Sequence, residues 1–392
     1  MGRNRNPHWR VKTLMFDFIG LGNGLINVVL LLVILVGLVL IHEFGHFIVA
    51  RRTGVRVHEF GIGFPPRARV LGSDGETTYT LNWLPIGGFV KLEGEEGESD
   101  DPRSFVRQRL PTRLAILLAG VTMNILLAFL IFAFIAGFAD PVANARIGSV
   151  QPDSPAAAAG LRGGVQTGTD ADGNPTYDES GDLIVAIDGQ RFPVFDWTDA
   201  VGGVPQSAYL RSHAGRTVTL TVRHADGSEQ DVAATLRSSE QAAEQGALGV
   251  RFIALPTENI QRGPVDAVVI GFRRTIDAAT LILRGLGDLV ANITNPPVSG
   301  PVGIVGAIGT VRAELPPVFL LWFVGLLSAN LAVVNALPLP PLDGGRVAVA
   351  IIQKLTGNRI SVAAERLAYL VGFVFLMALF AWLTFFDIAR LG

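Results

Sequence analysis

The sequence predicts an α-helical polytopic membrane protein with four transmembrane helices, interrupted by an inserted β-rich domain. Three observations carry this. Apolar residues make up 49% of the 392 residues and charged residues only 17%, the balance of a chain that spends much of its length in lipid. Four segments, Leu25–Ala50, Leu114–Ala139, Val318–Leu337 and Leu367–Phe386, are long and apolar enough to span a bilayer as helices. Between the second and third lies a long polar stretch with strand alternation and turn signals. The net charge of −2 gives no global reason to expect nucleic acid, and the absence of cysteine excludes disulfides and thiolate metal sites. The first apolar run is too long for a cleavable signal peptide and lacks a small-residue cleavage site after it.

Taken in order, residues 1–24 read as a basic N-terminal arm. The first span then runs from Val28 to Ile41 with nothing more polar than Gly37, before His42, Glu43 and His46 arrive. Placing ionisable groups in hydrocarbon costs several kcal/mol, so these three require a use. At 1.5 Å per residue, His42 lies about 25 Å along a helix starting at Leu25, still inside the membrane. The polar loop 51–113 follows. Within it, 76–94, "ETTYTLNWLPIGGFVKLEG", reads as a β-hairpin. This loop holds Arg51, Arg52, Arg56, Arg67, Arg69, Lys91, Arg103, Arg107, Arg109 and Arg113, and the loop 341–366 adds Arg346, Lys354, Arg359 and Arg366. Basic residues near span ends collect on the cytoplasmic side. Both loops are therefore expected in the cytoplasm, with both termini and the region 140–316 outside. Arg3, Arg5, Arg10 and Lys12 argue the other way but are outnumbered.

The region 143–255 offers a short strand, a turn and an Ala-rich helix in "IGSVQPDSPAAAAGL", a strand with an Asp-Gly turn in "DLIVAIDGQ", and a hairpin in "RTVTLTVRHADGSEQDVAATL". The pattern resembles a PDZ domain. The insert "RGGVQTGTDADGNPTYDES" carries Asp170, Asp172, Asn174 and Asp178. A calcium loop of the EF-hand kind needs Gly at its sixth position and Glu at its twelfth; Pro175 and Gly181 stand there, so a polar loop is expected. Residues 264–291 mix apolar stretches with Asp266, Arg273, Arg274, Asp277, Arg284 and Asp288, and read as an amphipathic helix on the membrane or against the core.

The chemistry concentrates at the far end of the first span. His42 and His46, four residues apart, share one helix face and can hold one zinc ion. Glu43, beside them, can take a proton from water and return it to a leaving amine. A His-Glu-His network filling a helix contact would use the same letters, but would leave three ionisable groups in a membrane helix without a role. Catalytic zinc has three protein ligands and an open position. The other histidines, His8, His58, His213 and His224, lie outside the apolar segments, so a carboxylate at membrane depth is expected. Asp343 fits. It follows the third span in "NALPLPPLDGG", where Pro338, Pro340 and Pro341 end the helix. Non-helical backbone at that depth is tolerated only where protein buries it or a wet cavity receives it.

The HEFGH helix, "NALPLPPLDGG" and the intervening PDZ-like region resemble the site-2 protease family of intramembrane zinc metalloproteases, in its bacterial PDZ-bearing branch. The likeness extends from about Leu25 onward. "LAGVTMNILLAF" resembles the second-span segment, with Val121 where the family usually has proline, and "SGPVGIVG" resembles the Gly-rich stretch before the third span. The resemblance implies that His42, His46 and Asp343 bind one zinc ion and that Glu43 is catalytic. It implies that Asn335 holds substrate or stabilises the oxyanion, a task an amide donor suits. Asn124 has either the same task or a helix–helix hydrogen bond. Ile147, Gly148 and Ser149 are expected at the ligand loop of the PDZ-like domain, for a peptide or a C-terminal tail. The implied enzyme sits in a bacterial inner membrane and cuts membrane-spanning segments of anti-sigma factors or remnant signal peptides, acting after a first protease. The hairpin would present a strand edge to the unwound substrate, from "TTYTLNWL" or "GGFVKL". Two rivals remain in view. A PDZ-bearing scaffold would be indifferent to Glu43, and an ion-coupled transporter would usually show internal repeats, which the sequence lacks.

Overall fold

The structure is a computed structural model and describes residues 8–95, 99–169, 174–196, 205–254, 257–294, 296, 298–357 and 361–390. The chain divides into two compact units, one formed by Met1–Ala133 with Val269–Gly392 and the other by Phe134–Val268.

The first unit begins with α1 (His8–Arg52), then β1 (Val57–Ser73), β2 (Thr78–Leu92) and α2 (Leu110–Phe138), whose last turn enters the second unit. Among the described residues, four helical stretches are long and apolar enough to cross a membrane: Asn23–Arg52, Leu110–Phe138, Pro317–Ala336 and Ala363–Ala389. They are helices for the reason that makes hydropathy informative, since lipid offers no partner for backbone N–H and C=O groups. The arm expected over 1–24 is helical from His8 onward. No proline lies between His8 and Leu25 to stop the helix propagating backwards. Arg3 and Arg5 lie outside the described residues.

The expected hairpin is larger than 76–94 and folds on itself. Residues 67–73 pair with 78–82, and residues 59–62 have β2 neighbours on both sides, 78–81 on one and 88–91 on the other. The order across this ribbon is therefore 67–73, 78–82, 59–62, 88–92. "TTYTLNWL" is paired on both sides, whereas "GGFVKL" forms one of the ribbon's two edges, 67–73 being the other. A small core of Ala50, Val55, Val57, Val90, Leu92, Phe105, Ile116 and Leu117 fastens the ribbon to α1 and α2, with Phe47 edge-on to Phe60 at 5.4 Å. Beside the ribbon's end, Ser99 and His58 hydrogen-bond the Glu93 carboxylate, each at 2.6 Å, and hold it below its ordinary range.

The second unit holds β3 (Asp140–Ala143), β4 (Ala145–Val150), α3 (Pro155–Ala158), β5 (Gln166–Thr169), β6 (Pro175–Tyr177), β7 (Leu183–Ile187), β8 (Phe192–Pro193), α4 (Pro205–Ser212), β9 (Thr217–Arg223), β10 (Glu229–Thr235), α5 (Ser239–Gln245), β11 (Val250–Ala254) and β12 (Thr257–Ile260). Its main sheet runs β10-β9-β7-β4-β11, with a three-stranded sheet β12-β3-β8 and a two-stranded β5-β6. Burial alternates along β9, as period two requires, while all five residues of β7 are buried. Ile147, Ile184, Ile187, Leu220, Val222 and Leu248 form the centre of its core. Ser154 caps α3 by accepting the Ala157 N–H at 3.2 Å, with Pro155 at the first helical position.

The chain then continues through α6 (Pro264–Ala291), α7 (Pro301–Glu314), α8 (Pro317–Ala336), α9 (Asp343–Thr356) and α10 (Val362–Ala389). Along α6, Val265, Val269, Phe272 and Ile276 stay exposed at helical spacing, an apolar stripe along one face. At the start of α7, the buried Asp387 of α10 accepts the backbone N–H groups of Gly300 and Gly303 at 3.0 and 2.8 Å, satisfying two of the free donors of a helix N-terminus.

Candidate metal centre

His42 and His46 stack on one face of α1, as their spacing requires, and both are buried. Helix α2 crosses that face closely because it carries Gly120 there. A Cβ on Gly120 would stand 2.5 Å from Nε2 of His46 and 2.6 Å from Nε2 of His42. Gly45 permits the same approach from α1, since its Cβ would stand 2.5 Å from the Ala119 carbonyl oxygen. Such small-residue contacts are what let helix backbones close on one another in lipid.

Asp343 arrives from elsewhere in the chain. After α8 ends at Ala336 the backbone turns through the prolines, and Asp343 opens α9. Gly344 and Gly345 pack against the backbone of Ala336, Leu337 and Leu339, leaving no room for a side chain. One turn into α9, Arg346 pairs with Glu95 at 2.6 Å, which ties the helix to the loop after β2.

Three ligand atoms thereby converge. Asp343 Oδ2 lies 2.9 Å from His42 Nε2 and 3.2 Å from His46 Nε2, and the two Nε2 atoms are 3.1 Å apart. The donor set suits zinc, which binds imidazole nitrogen and carboxylate oxygen in four-coordinate sites. The proton inventory supports the fit. His46 Nδ1 donates to the Ile116 carbonyl at 2.7 Å, so in the neutral ring Nε2 is a bare lone pair facing a carboxylate oxygen. A cation resolves that repulsion. His42, His46 and Asp343 are the residues among those described whose ligand atoms gather as a metal would need.

Glu43 stands on the neighbouring face of α1, and among the described residues no hydrogen bond takes up its carboxylate. Gly88 of the ribbon's edge passes beside it, a Cβ there lying 3.8 Å from Glu43 Cγ. Asn335 sits half-buried in the last turn of α8, and no hydrogen bond joins its side chain to the converging ligands. Asn124 does join them, its amide N–H donating to His42 Nδ1 at 3.2 Å. Ile147, Gly148 and Ser149, expected at the ligand loop of the PDZ-like domain, fall within a strand. They lie inside β4, which pairs with β7 on one side and β11 on the other, and Ile147 is fully buried. Among the described residues an open cleft of the second unit lies between α4 and β11, lined by Ser207, Leu210, Arg211, Leu248, Val250 and Phe252. Of the residues weighed for calcium, Asp170 and Asp172 lie outside the described residues. The Asp178 carboxylate is taken up by the N–H groups of Val165 and Ser180 and by the Ser180 hydroxyl, which hold it below its ordinary range.

The sequence profile of peptidase family M50 matches residues 30–379, a stretch that includes all three converging side chains and Glu43. The chain belongs to peptidase family M50. Zinc metalloprotease RasP of Geobacillus kaustophilus is 26% identical over 448 aligned positions, covering 93% of this chain and 98% of that protein. Zinc metalloprotease RasP of Oceanobacillus iheyensis is 27% identical over 440, covering 90% and 96%. A Clostridium acetobutylicum relative, whose zinc metalloprotease name is provisional, is 30% identical over 364, covering 92% and 97%. M50 is the site-2 protease family that the sequence resembles. The chain is a multi-pass membrane protein and a zinc metalloendopeptidase that acts within the bilayer on membrane-protein substrates.

Proposed function

We propose that His42, His46 and Asp343 hold the zinc ion, that Glu43 is the general base and acid, and that the substrate is a transmembrane helix cut inside the bilayer. The observation that carries this is the convergence of two Nε2 atoms and one carboxylate oxygen within 3.2 Å. Zinc, when bound, lowers the pKa of water toward about 7 and polarises the scissile carbonyl. Glu43 takes the proton from the attacking water and hands it to the leaving amine. Among the described residues no hydrogen bond takes up its carboxylate, which supports that role. Asn335, at the end of α8, is the amide proposed to meet the substrate or its oxyanion.

A transmembrane helix hides its carbonyls in its own hydrogen bonds, so it must be locally extended before it is cut. The ribbon edge 87–92, with Gly88 against Glu43, supports main-chain pairing with that extended segment. The Lys and Arg distribution supports a cytoplasmic position for the loops 51–113 and 341–366, and an extracytoplasmic one for 140–316. For residues 143–255 we keep the PDZ-like assignment. The free edge of β11 beside α4 supports capture of a peptide or C-terminal tail as an added strand. Membrane-anchored anti-sigma factors and remnant signal peptides are the proposed substrate class, trimmed on the outer side before this enzyme acts.

Glu43→Gln is the test. The amide cannot accept the proton, so the variant should keep its zinc and its fold and lose cleavage of a membrane-embedded substrate by several orders of magnitude. Turnover near that of the unaltered chain would reject Glu43 as base and return the scaffold reading.

A further inference from the structure

Asn124 is fully buried, and its amide is engaged by His42 rather than turned toward a substrate. We infer that Asn124 is a positioning residue that sets the ring tautomer of His42 and so presents Nε2 to the metal. The inference rests on the ligand assignment above. Asn124 lies on α2, and its backbone oxygen accepts the Ser328 hydroxyl of α8 at 2.8 Å, which holds this turn in place. Its amide nitrogen is 3.2 Å from His42 Nδ1, while its Oδ1 is buried with no hydrogen-bond partner.

The two histidines solve one problem in two ways. His46 gives its Nδ1 hydrogen to the Ile116 carbonyl, a backbone acceptor that cannot change, so in the neutral ring its Nε2 carries the lone pair. Among the described residues His42 Nδ1 has the Asn124 amide, which can show either face. With hydrogen on His42 Nε2, the ring donates to Asp343 at 2.9 Å and Nδ1 accepts from the amide N–H. That arrangement leaves Oδ1 without a donor. Once Nε2 is given to a metal, the hydrogen moves to Nδ1 and the amide must offer its oxygen. A half-turn of the carboxamide achieves this with the heavy atoms in place, and supplies the buried oxygen with the donor it lacks. Helix α2 thus orients both rings, through Ile116 and through Asn124. Outer partners that fix a ligating histidine are worth about 10- to 100-fold in metal affinity.

The test uses the full chain in detergent, loaded with zinc and competed against a chelator of known affinity. Zinc is followed by metal analysis and fold by circular dichroism. Asn124→Asp keeps an acceptor and should hold zinc at least as tightly as the unaltered chain. Asn124→Leu, similar in size but unable to accept, should hold it about 10- to 100-fold more weakly with its helix content unchanged. An unchanged affinity in the Leu variant would overturn the inference, and so would equal losses in both variants. Should the Leu variant fail to fold, nitrogen-15 spectra of the zinc-loaded unaltered chain decide. A protonated His42 Nδ1 supports the inference and an unprotonated one overturns it. His46→Ala separates the two levels: zinc held as tightly there as in the unaltered chain would refute the ligand set itself, whereas the Asn124 results above leave that set standing.

Discussion

The contact between α1 and α2 makes a sharp prediction at Gly120. In Gly120→Ala the new methyl would stand 2.5 Å from His46 Nε2 and 2.6 Å from His42 Nε2, against an ordinary contact of about 3.4 Å, so something must move by ~0.9 Å. The methyl sits on helical backbone and cannot swing away. The displacement falls on the imidazoles or on the helix separation. Metal sites tolerate ligand errors of about 0.2 Å, so a shift of this size misplaces two of the three proposed ligands. Overpacking of this kind costs about 1–3 kcal/mol. If the rings yield, that strain appears as zinc affinity lowered about 5- to 150-fold. Gly37→Ala is the control. It lies on α1 one helical turn before Ile41, nothing stands within 4 Å of its Cβ, and alanine favours the helix by about 1 kcal/mol. Chelator competition and cleavage of a short synthetic transmembrane helix would be measured for both. Zinc affinity and cleavage in Gly120→Ala equal to those of Gly37→Ala would refute the close-contact argument.

Two further predictions concern what surrounds the centre. Arg346→Leu strands the Glu95 carboxylate, 2.6 Å away and 16% exposed. It should lower thermal stability by about 3 kcal/mol, the lower end for a broken buried pair because Arg346 retains 28% exposure. Glu95→Leu should cost a similar amount, and the double variant less than the sum; strictly additive losses in the cycle would show that the pair does not couple. Deleting 143–255 should leave cleavage of the short synthetic helix intact and raise the use of untrimmed substrates relative to trimmed ones. An unchanged ratio would reject the domain as a filter, and loss of the short-helix activity with zinc retained would show that it helps build the site.

The parts legible in the sequence are those set by local rules. Membrane helices satisfy their own backbones, so four apolar runs mark four spans to within a few residues. The His-His pair is legible because four residues bring two side chains to one face, and Asp343 because no other histidine lies at membrane depth. What escaped is non-local. Gly61, Gly63, Pro65 and Pro66 erase strand alternation along β1, so the self-folded ribbon, and which of its segments are edges, could not be read from period two. Ile147, Gly148 and Ser149 fall within β4 while an open cleft lies beside β11, because sheet order decides which strand has a free side, and sheet order is written in contacts a hundred residues apart. Asn124 meets His42 across 82 residues, a pairing no local pattern announces.

The same distinction explains how the centre is held. Its proposed ligands come from α1 and α9 and their outer partners from α2, three segments with no covalent reason to be near one another. In lipid there is little hydrophobic drive to press helices together, so close packing depends on small residues and matched polar contacts. Gly45 and Gly120 let α1 and α2 approach until the rings touch backbone, and Gly344 and Gly345 let α9 start against the end of α8. Each of these glycines acts by what it leaves out. The chain has 45 glycines, and one such as Gly37, helical and with open space around it, has room for alanine. The catalytic geometry is therefore specified twice: once by the reactive side chains, whose types announce their chemistry, and once by absent side chains, which acquire meaning only when the backbone facing each of them is known.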